Sequence, residues 1–280
     1  MGLFTTFDHD PLQRPVMIMS LSGWVDAGGA GTGAANILAE GMDLLAEFDT
    51  DALFDYRANR PVLHIESGEV KTVTWPSLEL RLRRGEGHDV VIFSGMEPDF
   101  GWKGLANDVA GMATDLAVER LVTMGAVPAA VPHTLPVPVL TTASDTSLLL
   151  DDDELLEGTL VVPGAAVSII TNAIVDAGIP AIGYWAQVPH YVRETYHPAV
   201  AALLRKTAQQ GDFVVDLAEV DQEAADQVAR LDEIVAGRPE AAAYLERLEQ
   251  IAGEGLPTAD EIGAEVERFL RDQGDEGPFG

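Results

Sequence analysis

Residues 16–48 read VMIMSLSGWVDAGGAGTGAANILAEGMDLLAEF, and three patterns follow one another along them. Val16–Leu21 is an apolar run of the length that a buried strand needs. Gly23–Gly33 is dense in glycine, which predicts a tight loop with accessible backbone N–H groups. From Ala34 to Phe48 apolar side chains recur at roughly helical spacing, which predicts a helix. A strand that leads into a helix through glycines is the opening unit of an α/β protein, and such proteins bind ligands where the strands end.

The same two patterns alternate along the rest of the chain. Further strands are predicted at 62–65, 70–75, 78–82, 89–95, 120–126, 137–142, 160–162 and 181–186. Further helices are predicted at 102–119, 168–177 and 198–210. The strands at 70–75 and 78–82 flank Pro76-Ser77, which predicts a hairpin. Alternating strands and helices predict a three-layer α/β/α sandwich with a largely parallel sheet.

The composition changes near Asp216. From there on, acidic residues outnumber basic ones heavily, and the strand patterns stop. Apolar residues at helical spacing predict two helices, and a capping-box pattern at Thr258–Glu261 predicts a third. We therefore expect an α/β/α core domain at 1–215, a small C-terminal helical segment at 216–272 and a flexible acidic tail at 273–280.

The 280-residue chain carries a formal net charge of −29. Such a field repels nucleic acid and anionic membrane surfaces, so neither is expected as a partner. The charge has two explanations, a generally acidic proteome or an acidic face that meets a basic partner. The chain has no cysteine, which excludes disulfides, thiolate metal sites and a cysteine nucleophile. The first ten residues lack the basic and apolar regions of a secretion signal, so we expect a cytoplasmic protein.

The glycine-dense loop does not match the common nucleotide-binding motifs. The fingerprint G-x-G-x-x-G would need a third glycine where Asn36 follows Gly31 and Gly33, and no lysine completes a P-loop. The Gly-x-Ser-x-Gly elbow of serine hydrolases is also missing. The six histidines do not stand at zinc-ligand spacing, and we predict no metal and no cofactor. The glycines have an alternative role, a sharp turn with close helix–sheet packing.

Two carboxylates are the best candidates for chemistry. Asp26 and Glu97 each follow a predicted parallel strand, so both are expected at the same edge of the sheet. Paired carboxylates there serve acid–base catalysis or hold a cation. Asp26 has a simpler alternative role, accepting backbone N–H bonds at a helix start. Asp99 is a further candidate, and the run Asp151–Glu154 is predicted to be a solvated helix start.

These candidates define a predicted cleft between the 23–29 and 95–100 loops, in which no catalytic residue is assigned. The cleft residues are Gly23, Trp24, Asp26, Gly28, Gly29, Ser94, Gly95, Glu97 and Pro98.

Four segments of the chain occur together in one known family. They are Ser22–Gly28 (SGWVDAG), Phe93–Pro98 (FSGMEP), Ala177–Ala181 (AGIPA) and Trp185–Val192 (WAQVPHYV). Each motif alone is unspecific, but the four together and in this order are specific. Over about residues 15–210 the chain resembles the proteasome assembly chaperone 2 family, and in particular its actinobacterial branch.

The resemblance implies an α/β/α fold similar to purine nucleoside phosphorylases, without an established enzymatic activity. It also implies a homo-oligomer, with a trimer as the candidate. Eukaryotic and archaeal relatives build or engage the 20S proteasome, so the 20S proteasome or its subunits are the candidate partners. Relatives can end in a hydrophobic-Tyr-x tail that enters pockets on the proteasome ring. Phe279 and Gly280 are the corresponding candidate partner-binding residues here, but phenylalanine replaces the tyrosine and Pro278 replaces the aliphatic residue.

Three functional hypotheses follow. The leading one is a non-enzymatic assembly-chaperone-like or interaction protein that acts as a homo-oligomer. The alternative is an enzyme similar to nucleoside phosphorylases or hydrolases, or a small-molecule binder, that uses the cleft between the 23–29 and 95–100 loops. The third is a structural oligomer whose acidity reflects only its proteome.

Overall fold

The computed structural model of the protein describes residues 2–155 and 158–252. Its strands are β1 (Phe4–Thr6), β2 (Val16–Ser22), β3 (Asp43–Phe48), β4 (Val62–Glu66), β5 (Glu69–Thr74), β6 (Leu78–Arg83), β7 (Val90–Met96), β8 (Arg120–Ala129), β9 (Val139–Ala143), β10 (Glu154–Leu155) and β11 (Ala181–Pro189). Its α-helices are α1 (Ala30–Ala39), α2 (Thr50–Leu53), α3 (Trp102–Asp115), α4 (Ala166–Asp176), α5 (His197–Gly211), α6 (Ala218–Ala236) and α7 (Pro239–Ala252). The fold is a three-layer α/β/α sandwich, as the sequence predicts.

The first of two compact units comprises Met1–Trp24, Ala35–Thr123 and Gly164–Ala181. Its strands hydrogen-bond in the order β1-β3-β6-β7-β2-β8. Strands β7, β2 and β8 are parallel, whereas β1, β3, β6 and β7 pair antiparallel. The apolar runs Val16–Met19 and Val90–Phe93 are fully buried, which is typical of parallel strands that helices cover on both faces. Helices α3 and α4 pack against each other.

The second unit comprises Val25–Ala34, Met124–Pro163 and Ile182–Gly280. It contains the rest of β8, and its strands follow the order β8-β11-β9-β10. Strand β9 is antiparallel to β11 and parallel to β10. Helix α5 packs against α6, and α6 packs against α7.

Helix α6 is tied to the segment that precedes α5 through Gln227, a buried polar residue. Its amide nitrogen donates to the Thr195 carbonyl at 2.7 Å, and its amide oxygen accepts from the His197 N–H at 2.9 Å. The domain boundaries at 216 and 273 stay predictions. The predicted third C-terminal helix and the predicted tail lie outside the described residues.

The predicted helix at 34–48 is wrong in its second half. Helix α1 covers only the first part of this range, and the second part is strand β3. The helix ends in the turn around Gly41, a residue type common at helix ends. Beyond the turn, Leu45 and Phe48 are buried where β3 pairs with β1 and β6. Apolar spacing at the end of the range fits both elements, so periodicity alone could not separate them.

The predicted hairpin between 70–75 and 78–82 is also wrong. Strand β5 pairs antiparallel with β4 across the turn at Ser67-Gly68, and the two form a separate two-stranded sheet. Strand β6 pairs instead with β3 and β7. Alternating side chains indicate a strand but do not identify its partner: β5 turns back on β4 at Ser67-Gly68, and β6 is joined to β3 and β7 of the large sheet.

Two short predictions near β10 differ from the structure. Residues 160–162 have no regular structure, and Val161 is almost fully exposed. The acidic run at 151–154 is a turn that leads into β10 and not a solvated helix start. Its Asp153 side chain is completely buried, because the Lys206 ammonium compensates its charge at 2.7 Å.

Candidate functional site

The ends of β2 and β7 bring Trp24 and Glu97 together. The two strands are parallel, and Ser22 is the register partner of Met96. The Glu97 N–H donates to the Ser22 carbonyl at 2.9 Å, and the Trp24 N–H donates to Glu97 Oε2 at 3.4 Å. Trp24 and Glu97 therefore lie at neighbouring strand ends.

The second carboxylate oxygen of Glu97 caps a helix. Glu97 Oε1 accepts from the N–H of Ala166, the first residue of α4, at 2.7 Å. The N-cap position of α4 is Ala165, whose methyl group cannot accept a hydrogen bond. A carboxylate at this position also interacts favourably with the helix dipole. Glu97 thus joins the end of β2 to the start of α4.

Gly95 fixes the path of the chain into Glu97. Its φ is +145°, and a Cβ atom at this position would lie 2.0 Å from the Ser77 carbonyl oxygen. The next residue, Met96, donates its N–H to that same oxygen at 2.9 Å. Only glycine permits this close approach, so Gly95 has a structural requirement independent of any ligand.

Asp26 holds the start of α1. Its Oδ1 accepts from the N–H groups of Gly31 at 2.8 Å and Thr32 at 3.1 Å, and the Thr32 hydroxyl donates to its Oδ2. Burial raises the pKa of Asp26, and the hydrogen bonds from Thr32 and Gly31 offset part of that rise. These contacts are those of the simpler alternative, a carboxylate that accepts backbone N–H bonds at a helix start.

Gly28 and Gly29 form the short turn of 3-10 helix that precedes α1. The Gly28 carbonyl accepts from the Tyr196 N–H at 2.8 Å, and the Gly29 N–H donates to the Asp26 carbonyl at 2.9 Å. A Cβ atom on Gly28 would lie 3.0 Å from Tyr196 Cβ and 3.1 Å from a Val188 methyl group. Gly28 therefore packs closely against its neighbours, which is the alternative role that we predict for the glycines from the sequence.

The candidate residues divide between the two compact units. Gly23, Trp24, Ser94, Gly95, Glu97 and Pro98 belong to the first unit, and Asp26, Gly28 and Gly29 belong to the second. The cleft between the 23–29 and 95–100 loops, and any catalytic role in it, stays a prediction. Phe279 and Gly280 lie outside the described residues.

Asp99, the further carboxylate candidate, connects its loop to the segment that follows α2. Its Oδ2 accepts from the Asp55 N–H at 2.7 Å and from the Asn59 amide at 2.9 Å. Like Asp26 and Glu97, it uses its oxygens to order backbone and neighbouring side chains.

A shallow, open depression that the sequence does not predict lies beside the same loop. Its volume is about 520 Å³, and it is lined by Asp99, Phe100, Gly101, Trp102, Lys103 and Gly104. The only sequence signal for it is two aromatic residues that flank a glycine immediately before an amphipathic helix.

The sequence does not predict a polar cluster next to the end of β11, in which a buried histidine lies between a half-buried tyrosine and an exposed aspartate. Tyr191 Oη accepts from the His133 N–H at 2.9 Å and lies 2.7 Å from His133 Nδ1. On the other side of the imidazole, His133 Nε2 is 3.3 Å from an Asp232 oxygen on α6. Burial raises the pKa of Tyr191 to about 12. Tyr191 lies in the motif Trp185–Val192. Its partner His133 is 58 residues away in the chain, so the sequence does not indicate their contact.

Membrane-spanning helices and metal-ligand clusters are both absent from the described residues. None of the described helices is long and apolar enough to cross a membrane. Within residues 2–155 and 158–252, no group of three or more histidine, aspartate or glutamate side chains is placed to hold a metal ion.

Residues 20–235 match the model of the PAC2 family. A Mycobacterium tuberculosis protein of unknown function is 30% identical, with a TM-score of 0.86 over 98% of this chain and 97% of its own. A PAC2 family protein from Streptomyces avermitilis is 33% identical, with a TM-score of 0.74 over 82% of this chain and 99% of its own. A proteasome-assembly chaperone homologue from M. tuberculosis is 32% identical, with the same TM-score and coverage. No curated protein matches the chain. The chain therefore belongs to the PAC2 family, as its four motifs predict.

Proposed function

We propose that this protein is a non-enzymatic, assembly-chaperone-like protein that binds the 20S proteasome or its subunits and acts as a homo-oligomer. The observation that carries the proposal is the likeness to the proteasome-assembly chaperone homologue from M. tuberculosis, which extends over nearly all of that protein. Two members of one family that align over such a length share their core architecture, and a shared mode of action is the simplest inference.

The contacts of Asp26 and Glu97 favour binding over catalysis. A general acid or base must reach a proton on the substrate. Both carboxylates instead accept N–H groups of their own chain and order the starts of α1 and α4. The enzyme or small-molecule binder that would use the cleft between the 23–29 and 95–100 loops stays the alternative prediction.

An assembly assay tests the proposal. Purified subunits of the cognate 20S proteasome are mixed with and without the full chain, and native gels follow the half-proteasome and the complete particle. We expect the chain to migrate with an assembly intermediate and to increase the yield of complete particles. Unchanged assembly, with no subunit retained by the tagged chain, contradicts the proposal.

Retention of proteasome subunits by the tagged chain also tests the predicted tail. We expect removal of residues 273–280 to lower subunit retention, because an aromatic side chain next to the last residue can enter an apolar pocket. Phe279→Tyr restores the residue found in relatives and should raise retention, whereas Phe279→Ala should lower it. If all three variants retain subunits as the full chain does, the tail has no part in docking.

A further inference from the structure

A short segment between β10 and α4 has the sequence of a strand but no strand partner. Residues 159–162 read TLVV, and their apolar and β-branched side chains favour extended structure. We call them the TLVV segment. Gly158 precedes the segment with a φ of +85°, and Pro163 follows it. Because a residue before proline avoids the helical region, Pro163 favours an extended conformation for Val162.

The backbone of the TLVV segment is unpaired. The sequence predicts a strand at 160–162, whereas the structure gives residues 159–162 neither a helix nor a strand. Within residues 2–155 and 158–252, none of their N–H or carbonyl groups takes part in a hydrogen bond. Strand β9, in contrast, pairs on both of its sides. The TLVV segment therefore offers its donors and acceptors to a further strand.

The side chains of the TLVV segment are exposed as well. Val161 is 88% exposed and Val162 is 43% exposed, although both are apolar. Leu155, the last residue of β10, is also 43% exposed. Strand β10 is the final strand in the order β8-β11-β9-β10, so one of its sides has no strand neighbour. Apolar exposure thus coincides with a free strand edge in this part of the chain, which is typical of an interaction surface.

Proteins usually protect a strand edge that has no partner. They place charged side chains or proline on it, keep it short, or cover it with a helix or loop. Strand β10 follows this rule, since it is only two residues long and carries Glu154. The TLVV segment has neither a charge nor a proline among its four residues. Its exposure therefore favours a use in binding.

The charge next to the TLVV segment indicates the chemistry of its partner. Residues 151–154 are three aspartates and one glutamate, and residues 158–164 carry no charge. The Lys206 ammonium faces this run, 2.7 Å from Asp153 and 3.0 Å from Asp152. Four negative charges and one positive charge leave −3. Such a field attracts lysine and arginine, and it repels a second copy of this acidic chain, a nucleic acid or an anionic membrane.

We propose that the TLVV segment binds an extended, basic segment of another protein by strand addition. The partner strand hydrogen-bonds to the backbone groups of residues 159–162, and its lysine or arginine side chains meet the exposed Asp151 and Glu154. In this mode of recognition the backbone bonds supply affinity and the side chains supply specificity. The inference goes beyond the proposed function, because it holds whether or not the partner is a proteasome subunit.

Three labelled peptides test this chemistry on the full chain by fluorescence anisotropy. The first, acetyl-KVTVTK-amide, is extended and basic, and the second, acetyl-EVTVTE-amide, is its acidic counterpart. We expect the basic peptide to bind about tenfold more tightly or better, and sodium chloride should weaken its binding. The third peptide is KVTVTK with N-methyl groups on its four interior residues, so it keeps the side chains but loses four N–H donors. It should bind about tenfold more weakly than the first.

A proline substitution tests the TLVV segment itself. Val161→Pro removes an N–H that makes no hydrogen bond to a described residue, so we expect a folded protein that binds the basic peptide about tenfold more weakly. Val214→Pro is the matched control. Val214 is 94% exposed, lies in another segment without regular structure, and likewise makes no backbone hydrogen bond to the described part of the chain. This control should bind like the native chain, and thermal melting compares the folding of both variants.

The acidic run is tested separately. The double variant Asp151→Asn with Glu154→Gln removes two exposed charges and leaves the pairs of Lys206 in place. It should bind the basic peptide about threefold more weakly or less, with a smaller dependence on salt. The acidic peptide should bind this variant no more weakly than it binds the native chain.

Three results would overturn the inference. They are a basic peptide that the native chain does not bind, equal binding of that peptide by the native chain and Val161→Pro, and equal binding of the plain and N-methylated peptides. Equal binding in these comparisons would show a non-specific attraction to an acidic protein. If no peptide binds and Val161→Pro lowers the molar mass measured by light scattering, the segment contacts a second copy, and strand addition by a basic partner fails. If the peptides behave as expected while proteasome assembly is unaffected, the proposed function fails and strand addition stands.

Discussion

Glu97 connects three segments through one carboxylate. Its two oxygens accept N–H groups from Trp24 and Ala166, and its own N–H binds the Ser22 carbonyl. The shorter bond, to Ala166, caps a helix that has no other side-chain cap at its N-cap residue. The residue therefore contributes to stability whether or not it also meets a ligand.

Substitution of Glu97 measures that contribution. Glu97→Gln keeps one acceptor oxygen and loses the other, and we expect a decrease of about 1 kcal/mol in the free energy of unfolding. Glu97→Ala leaves both N–H groups without this partner and should cost about 1–3 kcal/mol. Urea unfolding measures both values. The exposed Glu66→Gln is the control and should change stability by less than about 0.5 kcal/mol. A Glu97→Ala protein as stable as the control would show that water replaces the carboxylate without cost.

Asp26 makes stability depend on pH in a defined direction. Burial raises its pKa above the ordinary value, so the folded state keeps a proton at pH values where the unfolded state has released it. The contribution of this residue is therefore fully present at low pH and declines as the pH rises above about 4.

Asp26→Asn removes this dependence while keeping an acceptor for the N–H groups of Gly31 and Thr32. We expect the variant to gain stability relative to the native chain as the pH rises from about 3 to 7. Thermal melts across this range give the difference between the two proteins. Asp26→Ala removes the acceptor as well and should be less stable than Asp26→Asn at every pH, by about 1 kcal/mol. A relative loss of stability for Asp26→Asn with rising pH contradicts the assignment.

At the level of elements, one buried ion pair connects the segment before β10 to α5. Lys206 Nζ lies 2.7 Å from Asp153 Oδ1 and 3.0 Å from Asp152 Oδ1. The other Asp153 oxygen accepts from the Leu150 N–H at 2.9 Å and lies 3.2 Å from the Tyr184 hydroxyl. Burial lowers the pKa of Lys206, but the hydrogen bonds to the two aspartates outweigh that effect and raise it.

Breaking this pair should be costly. Lys206→Met leaves the Asp153 carboxylate buried without its cation, and we expect a loss of about 3–5 kcal/mol in the free energy of unfolding. The double variant Lys206→Met with Asp153→Asn removes the uncompensated charge and should recover a large part of that loss. Chemical unfolding of the single and double variants completes the cycle. Equal stability of the Lys206→Met single variant and the double variant would show that the carboxylate is not the source of the cost.

For the molecule as a whole, the elements that the sequence predicts are those with an unambiguous pattern. Strands β2, β7, β8 and β11 are continuous apolar runs, which parallel strands covered on both faces require. Helices α3, α4 and α5 have apolar residues at helical spacing. Strand β3 was predicted to be helical because its apolar spacing fits both elements. The hairpin was assigned to the wrong turn, because β5 pairs with β4 across Ser67-Gly68, whereas β6 pairs with β3 and β7.

The candidate site was predictable to a similar extent. Parallel strands end at one edge of a sheet, so the sequence indicates that the loops after β2 and β7 lie close together. The contact between Trp24 and Glu97 agrees with that rule, whereas the cleft stays a prediction. The role of Glu97 as the cap of α4 could not be predicted, because Ala166 is 69 residues away in the chain. The buried partners of Tyr191 and Asp153 were missed for the same reason.

The two N–H groups that the Glu97 carboxylate binds give this residue a value for folding alone. A carboxylate is the side chain of this length that offers two acceptor oxygens, so natural selection for folding alone would retain a glutamate here. If catalytic residues were chosen only because they are invariant among relatives, Glu97 would be chosen for its role in folding and not for a role in catalysis. Activity screens guided by such a choice should first compare the folding of the variant with that of the parent.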